Sequence, residues 1–439
     1  MKFHFLDASR MAWMSWVAAL CFRAEAAEIS VTEVVTEVVR GHPELKVYEG
    51  ALAAVRAEAV TSSRLPHPVL STEAGQARSR NLDGSFAGEG ATWSATVKQT
   101  FEWPGRLALR KAIANEDVHL AGLGLERFRQ ALMGRVRELA LGLAGAQEKA
   151  RVAREVADRF RALRDVLVQR DPAGVTPLLE IRILEATELS LRRRASDAEL
   201  QASAQRIELN VLRGRPAETE LALPWRPPVL GGSPAVTELL SAASTNNFTL
   251  RTRMGDLAQQ GFRVRLAKNE RWPAISVGPA YSSVDGSTRD RYLTVGINVP
   301  LPLWKNNASN VAAAEARQRQ AEAMLETARR EVELQVLNAA RRYEARREEM
   351  GRWREESIAA FREAAELADR HYRLGAVPAA TYVELQKQYL EAVESLLDTR
   401  RDALAAAVEL EQSTGLSLTG QETVGASTGE SAPVKGGRP

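Results

Sequence analysis

Proline is absent from residues 105–171, 178–215, 303–377 and 379–432, leaving runs of 67, 38, 75 and 54 residues with no helix breaker. A proline inside a helix removes a backbone hydrogen bond and costs about 3 kcal/mol, so runs this long are what very long helices require. They are rich in Ala, Leu, Glu, Arg and Gln, all strong helix formers. In the third run Ala321, Leu325, Ala328, Val332, Val336, Ala339 and Tyr343 recur at steps of three or four, which predicts one buried face along a long helix. At about 1.5 Å per residue, a helix of roughly 65 residues reaches about 100 Å, too long for the core of a compact domain. A chain of 439 residues would ordinarily divide into two or three globular domains. The proline spacing predicts an elongated rod instead.

The charges suit that reading. The 59 Lys+Arg nearly balance 56 Asp+Glu, and no concentrated basic patch accompanies the net +3, so no nucleic-acid partner is expected. With 45% hydrophobic and 26% charged residues, the chain is neither a disordered polyelectrolyte nor a polytopic helical membrane protein. Interspersed charges solvate the exposed flanks of long helices.

Lys2 and Arg10 precede the apolar run Met11 to Phe22, and Ala24-Glu25-Ala26 follows as a small-x-small cleavage signature. Residues 1–26 therefore read as a secretory signal peptide cut after Ala26. The one cysteine, Cys21, lies inside it, so neither disulfide nor thiol chemistry is expected. Beyond residue 27 no segment approaches 18 consecutive apolar residues, so any membrane crossing falls to strands.

Two regions have the period of a strand. From Ala91 to Phe101 the odd positions are Ala, Trp, Ala, Val, Gln and Phe, and the even ones Thr, Ser, Thr, Lys and Thr. From Tyr292 to Val299, Leu293, Val295, Ile297 and Val299 alternate with Tyr292, Thr294, Gly296 and Asn298. Weaker strands, Val69 to Ala77 and Ala274 to Ser282, precede them across the outward loops expected at Arg78 to Gly90 and Ser283 to Asp290. The features recur. His42-Pro43-Glu44-Leu45 matches Asn247-Phe248-Thr249-Leu250 at an offset of 205, and Glu180 falls on Glu384 at an offset of 204. Residues 27–222 and 235–418 are thus expected to be two structural repeats of helix, hairpin, long helix, turn and helix. A Pro-rich linker at 223–234 joins them and a disordered tail at 419–439 follows.

Four strands cannot close a pore, because the smallest single-chain outer-membrane barrels have eight. Copies must pool strands, and three chains would supply 12. A strand barrel continued by coiled helices is a conduit and needs no chemistry. No nucleophile elbow, P-loop or Cys/His cluster is present, so no catalytic residue and no cofactor is expected. His4, His42, His67, His119 and His371 have no metal-ligand spacing, so no metal site is expected.

The passages Val97 to Ala114 (VKQTFEWPGRLALRKAIA) and Ile297 to Arg317 (INVPLPLWKNNASNVAAAEAR) each run from a strand through a proline corner into a helix. Both resemble the strand-to-helix junctions of the TolC-type outer-membrane efflux factors. Tyr372 to Gly375 (YRLG), with Glu384 and LEA beyond, resembles that family's periplasmic helix-turn tip, and Gly174 to Ala186 (GVTPLLEIRILEA) its first-repeat counterpart. The EWPG corner and GVTP tip look most similar to the branch serving heavy-metal RND pumps.

The resemblance covers nearly the whole mature chain. It implies a mainly α fold with a small β part: a long coiled α-helical barrel continuous with a transmembrane β-barrel, four strands per chain and 12 in a homotrimer. It also implies outer-membrane lipid around the barrel, and a periplasmic adaptor (membrane fusion protein) and an inner-membrane RND pump as partners. Carried over by position, Tyr372 and Glu384 match the gate tyrosine and a ring acid. The sequence departs from the pattern at Val377, where the best-known members have arginine, and at Thr381, where a second acid is common. Arg170, Asp171 and Arg373 could supply other pairs, and Glu180 is the first-repeat partner of Glu384.

Blander readings stand beside these. Gly174 and Gly375 read most simply as helix C-caps, and Glu384 as a solvated helix acid. Trp93, Phe101, Trp103 and Trp304 suit an aromatic belt near the lipid interface, and Trp103 and Trp304, at the proline corners, equally suit packing against a neighbouring subunit. A periplasmic adaptor and a coiled-coil scaffold are the other functional classes. The doubled pattern with two membrane-suited hairpins disfavours both.

Overall fold

The computed structural model describes residues 29–62, 64–170, 178–224, 229–285, 288–301, 307–353 and 355–418. The signal-peptide reading of residues 1–26, the tail 419–439, Asp171, Gly174 and Trp304 lie outside them.

A capping box at Ser30 and Glu33 opens α1 (Val31–Gly41), and α2 (Pro43–Ser62) follows at once. A hairpin of β1 (Val69–Arg80) and β2 (Phe86–Phe101) leads to α3 (Arg106–Arg170), and α4 (Leu178–Leu212) follows. The order then recurs as α5 (Val236–Asn246), α6 (Phe248–Asn269), β3 (Ile275–Asp285) and β4 (Arg289–Asn298), ending in α7 (Ala308–Arg352), α8 (Glu355–Arg373) and α9 (Ala379–Thr414). His42 and Asn247 occupy equivalent joints: each leaves the helical conformation and donates its N–H to the carbonyl four residues back, Val38 and Ala243 respectively.

Helix α3 is continuous over 65 residues, about 100 Å at 1.5 Å per residue. The corresponding run in the second half is interrupted. Trp353 leaves the helix at φ −84°, ψ 87°, separating α7 from α8. Gly351 just before it lowers local helix propensity. All seven residues of the expected stripe on α7 are buried.

Among the described residues, three large apolar cores and two smaller clusters hold the helices. Val34, Val38 and Leu45 pack with Val136, Leu143 and Leu209 of α3 and α4. Leu239 and Leu250 pack with Val336, Tyr343 and Leu410 of α7 and α9 in the equivalent place. Below both, α3, α4, α8 and α9 share a core around Phe160, Leu184, Tyr382 and Leu390. The end of the linker is tied in as Tyr343 Oη donates to Gly231 O at 2.8 Å.

The four strands form one antiparallel sheet in the order β1-β2-β3-β4, so the two hairpins are joined through β2 and β3. The strands are 12, 16, 11 and 10 residues long, enough to cross a bilayer obliquely. The first hairpin loop is shorter than the expected Arg78 to Gly90, because β1 runs to Arg80 and β2 starts at Phe86. The cross-strand ion pair of Arg78 and Glu89 (2.8 Å) sits within this extension. An Asx turn closes it, with Ser85 N–H donating to Asp83 Oδ1 at 3.0 Å. Between Thr96↔Ala280 and Gln99↔Val277 the β2–β3 ladder lapses opposite Gly278 and Pro279, the latter having no N–H to donate.

Candidate functional site

The α8–α9 turn is built from a glycine and a proline. Gly375, at φ +73°, ends α8: its N–H donates to Tyr372 O (2.9 Å) and that of Ala376 to His371 O (2.9 Å), so orphan carbonyls are satisfied. Pro378 caps the start of α9. The turn brings Tyr372, at the end of α8, over Tyr382, in the first turn of α9. Their rings stack at 5.2 Å and 19°, and Phe160 of α3 tilts against Tyr382 at 5.1 Å.

Each phenol ends on a carboxylate. Tyr372 Oη donates to Glu180 Oε2 at 3.4 Å, crossing from α8 to the first turn of α4. Tyr382 Oη donates to Asp369 Oδ1 at 3.3 Å, and Arg373 Nε donates to Asp369 Oδ2 at 2.9 Å. Burial, and then the nearby Glu180 carboxylate, push the Tyr372 hydroxyl up to about 12. Burial and then Asp369 push Tyr382 up as well. Both phenols therefore stay protonated donors at any physiological pH. Wholly buried Gln386 donates to Ala365 O at 2.7 Å and fastens α9 to α8.

The structure brings Tyr372, Arg373, Gly375 and Glu180 to this tip. Glu384 and Thr381 lie on the exposed face of α9, where Glu384 accepts from Gln388 Nε2 at 2.9 Å. Val377 packs partly buried against the tip core, and Arg170 is the last residue of α3. Asp369, Tyr382 and Gln386 were not singled out in the sequence. A polar residue inside the apolar face Tyr382, Val383, Gln386, Tyr389 and Leu390 was the signal for Gln386. Higher up, ion pairs cross between helices: Lys149 to Asp398 (2.7 Å), Arg194 to Glu391 (3.6 Å) and Arg342 to Glu409 (2.8 Å).

The sheet forms a second surface. The register puts Leu70, Val97, Pro279 and Val295 on one face, with Ala74, Trp93, Tyr281 and Leu293 beyond them. The other face carries Glu73, Ser94, Thr96, Ser282, Thr294 and Asn298. In the single chain Leu293, Val295 and Ile297 are 79%, 72% and 70% exposed, so water is not the medium this face is made for. Among the described residues, the outer edges of β1 and β4 have no strand partner.

Where strands become helices, a buried arginine joins the two hairpins' feet. Arg106, 7% exposed, donates to Asn269 Oδ1 (3.1 Å), Asn269 O (3.2 Å) and Trp272 O (2.6 Å). Trp103 stacks on Trp272 at 5.0 Å and 14°. Among the described residues no His/Cys/Asp/Glu cluster could hold a metal ion, and no helix is long and apolar enough to cross a membrane.

A four-stranded sheet with one apolar face, continued by helices up to 65 residues long, is the architecture of the TolC-type outer-membrane channels. Solved structures that share it include three from different bacteria. A membrane protein from Pseudomonas aeruginosa aligns with a TM-score of 0.72 at 18% identity, covering 88% of this chain and 90% of that one. The Campylobacter jejuni CmeC outer membrane channel gives 0.70 at 14% identity, with 88% and 85% covered. The open state of the Neisseria gonorrhoeae MtrE outer membrane channel gives 0.69 at 18%, with 88% and 89% covered. In sequence, residues 239–416 match the family described as Outer membrane efflux protein. No curated protein matches the chain.

Proposed function

We propose that the chain is the outer-membrane exit duct of a tripartite efflux system and assembles as a homotrimer. The observation that carries this is the sheet: amphipathic, four-stranded, open at both edges and continuous with very long helices. Closing such a sheet takes other copies, and three would give 12 strands, apolar outside and polar within. The match of residues 239–416 to an efflux family supports the same reading. The duct is passive, not an enzyme, and a signal peptide cut near Ala26 would deliver it. Residues 27–222 and 235–418 act as the two repeats.

In this reading the tip faces the periplasm and meets an adaptor and an inner-membrane pump. The Tyr372–Glu180 bond, which crosses from α8 to α4, holds it shut, and three Glu384 carboxylates line the constriction and attract cations. The likeness of the EWPG corner and GVTP tip to the heavy-metal branch supports divalent metal ions as cargo, carried by an RND pump.

Fractionation tests the duct. Recovery as a detergent-extracted trimer that conducts in planar bilayers is expected, whereas recovery in the soluble periplasm without detergent would overturn it. Deleting the gene and comparing sensitivity to zinc, cobalt, cadmium and copper with that to hydrophobic drugs tests the cargo.

A further inference from the structure

Charge on the apolar face of the sheet is confined to one end. Counting along β1 from Leu70, the first charged residue on that face is Arg78, eight positions on, and Arg80 follows. Counting back into β4 from Val299, just past its end, the first is Arg291, again eight positions away, and Arg289 follows. Eight residues rise about 27 Å along a strand, or about 20 Å in height at the usual tilt of roughly 40°, close to the apolar band of outer-membrane barrels. The arginines therefore stand at the headgroup level. They stand at the hairpin tips, the end away from the helices. At the helix end the same face carries Gln99, Phe101, Val277 and Ile297 and no charge.

Two of the four arginines are neutralised within the sheet. Arg78 pairs with Glu89 at 2.8 Å and Arg289 with Asp285 at 2.7 Å. Arg80 and Arg291 are exposed and form no ion pair with any described residue. Their strands are the two open edges. In a closed ring β4 of one copy lies antiparallel to β1 of the next, so Arg289 and Arg291 of one copy come beside Arg78 and Arg80 of its neighbour.

We propose that each seam binds the phosphate groups of a phosphorylated glycolipid of the outer leaflet, with Arg80 and Arg291 as its principal ligands. Guanidinium groups bind phosphate oxygens bidentately, and the neighbouring apolar face takes the acyl chains. Arg78 and Arg289, already paired, hold the rim in place without competing for the ligand. The inference rests on the channel reading above, which alone puts this face against lipid and the hairpin tips outside.

The test uses the full-length trimer in detergent, examined by native mass spectrometry with lipid A bearing both phosphates, and with the same lipid stripped of them. Retention of the phosphorylated form at one molecule per seam is expected, falling about fivefold for each arginine removed in Arg80→Gln and Arg291→Gln. Lys98→Gln, on the opposite face, should leave it unchanged. Equal retention of the stripped lipid, or full retention by the double variant, would overturn the proposal. So would displacement of the lipid by an equimolar amount of inorganic phosphate. If the double variant does not assemble, the two single variants and the salt dependence of wild-type retention decide. A conducting outer-membrane trimer with no phosphate preference refutes this inference alone, whereas a soluble periplasmic protein refutes the channel reading beneath it.

Discussion

The hydroxyl of Tyr372, at the end of α8, donates to the carboxylate of Glu180 at the start of α4, tying together helix tips 192 residues apart in sequence. The bond is long at 3.4 Å, and Tyr372 is otherwise held by stacking on Tyr382. It is therefore a tie that can be released without unfolding the core, as a gate requires.

Tyr372→Phe keeps the ring and removes the donor. Loss of one such bond costs about 0.5–1.5 kcal/mol, too little to unfold the helices but enough to shift a closed–open balance several-fold. Higher single-channel conductance or open probability in planar bilayers is expected, with thermal stability nearly unchanged. Glu180→Gln, which still offers an oxygen acceptor, should show a smaller increase. Unchanged conductance in both variants would remove this bond from the gate.

Alkaline titration gives a second test. The folded-state pKa of Tyr372 is raised from 10.0 to about 12, so the folded protein holds the phenol proton more tightly than the unfolded chain does. Stability from this group is complete below about pH 10 and is lost as pH rises through about 12. Tyr382 adds to the effect in the same direction. Thermal melts from neutral pH upward should show a decline that steepens above pH 10. The double variant Tyr372→Phe/Tyr382→Phe should flatten it.

Helices and strand faces were legible in the sequence because their periods are local. The seven-residue stripe on α7 and the alternation of β2 and β4 needed no tertiary information. The interruption at Trp353 was not legible, since the proline-free run passes through it unchanged. Nor was the length of the hairpins legible, because polar residues such as Arg78 and Glu89 read as loop until their cross-strand pairing is known. At the tip, Tyr372, Arg373 and Glu180 could be named, but not who meets whom. Repeat spacing made Glu180 and Glu384 equivalent. The stacking of Tyr372 on Tyr382, fixed by the Gly375 turn, aims the hydroxyl at α4 instead.

The buried Arg106 should prove the most sensitive residue at the junction of sheet and helices. Of its three acceptors, Asn269 Oδ1 and Trp272 O have no other described donor, whereas Asn269 O also accepts from Trp272 N–H at 3.1 Å. Arg106→Ala leaves Asn269 Oδ1 and Trp272 O without that donor and should cost about 1–3 kcal/mol, read as a lower melting temperature and less assembled trimer. Arg106→Lys reaches fewer of them at once and should recover part of the loss.

Gly278 tests the sheet itself. A Cβ at this position would lie 1.7 Å from the backbone oxygen of Val97 and 2.9 Å from the Cα of Lys98, both backbone atoms of β2. No rotamer change relieves such a contact, so Gly278→Ala must push β2 and β3 apart where Pro279 already leaves the ladder weak. These are the central strands that join the two hairpins, so their separation splits the sheet into independent pairs. A loss of about 1–3 kcal/mol or more is expected, seen as reduced heat-resistant trimer on semi-native gels. Gly296→Ala is the control, because the nearest atom there, Gly278 O, is 3.9 Å away, an ordinary contact. Equal trimer yield from Gly278→Ala and Gly296→Ala would mean that β2 and β3 are not packed at this distance in the assembled barrel.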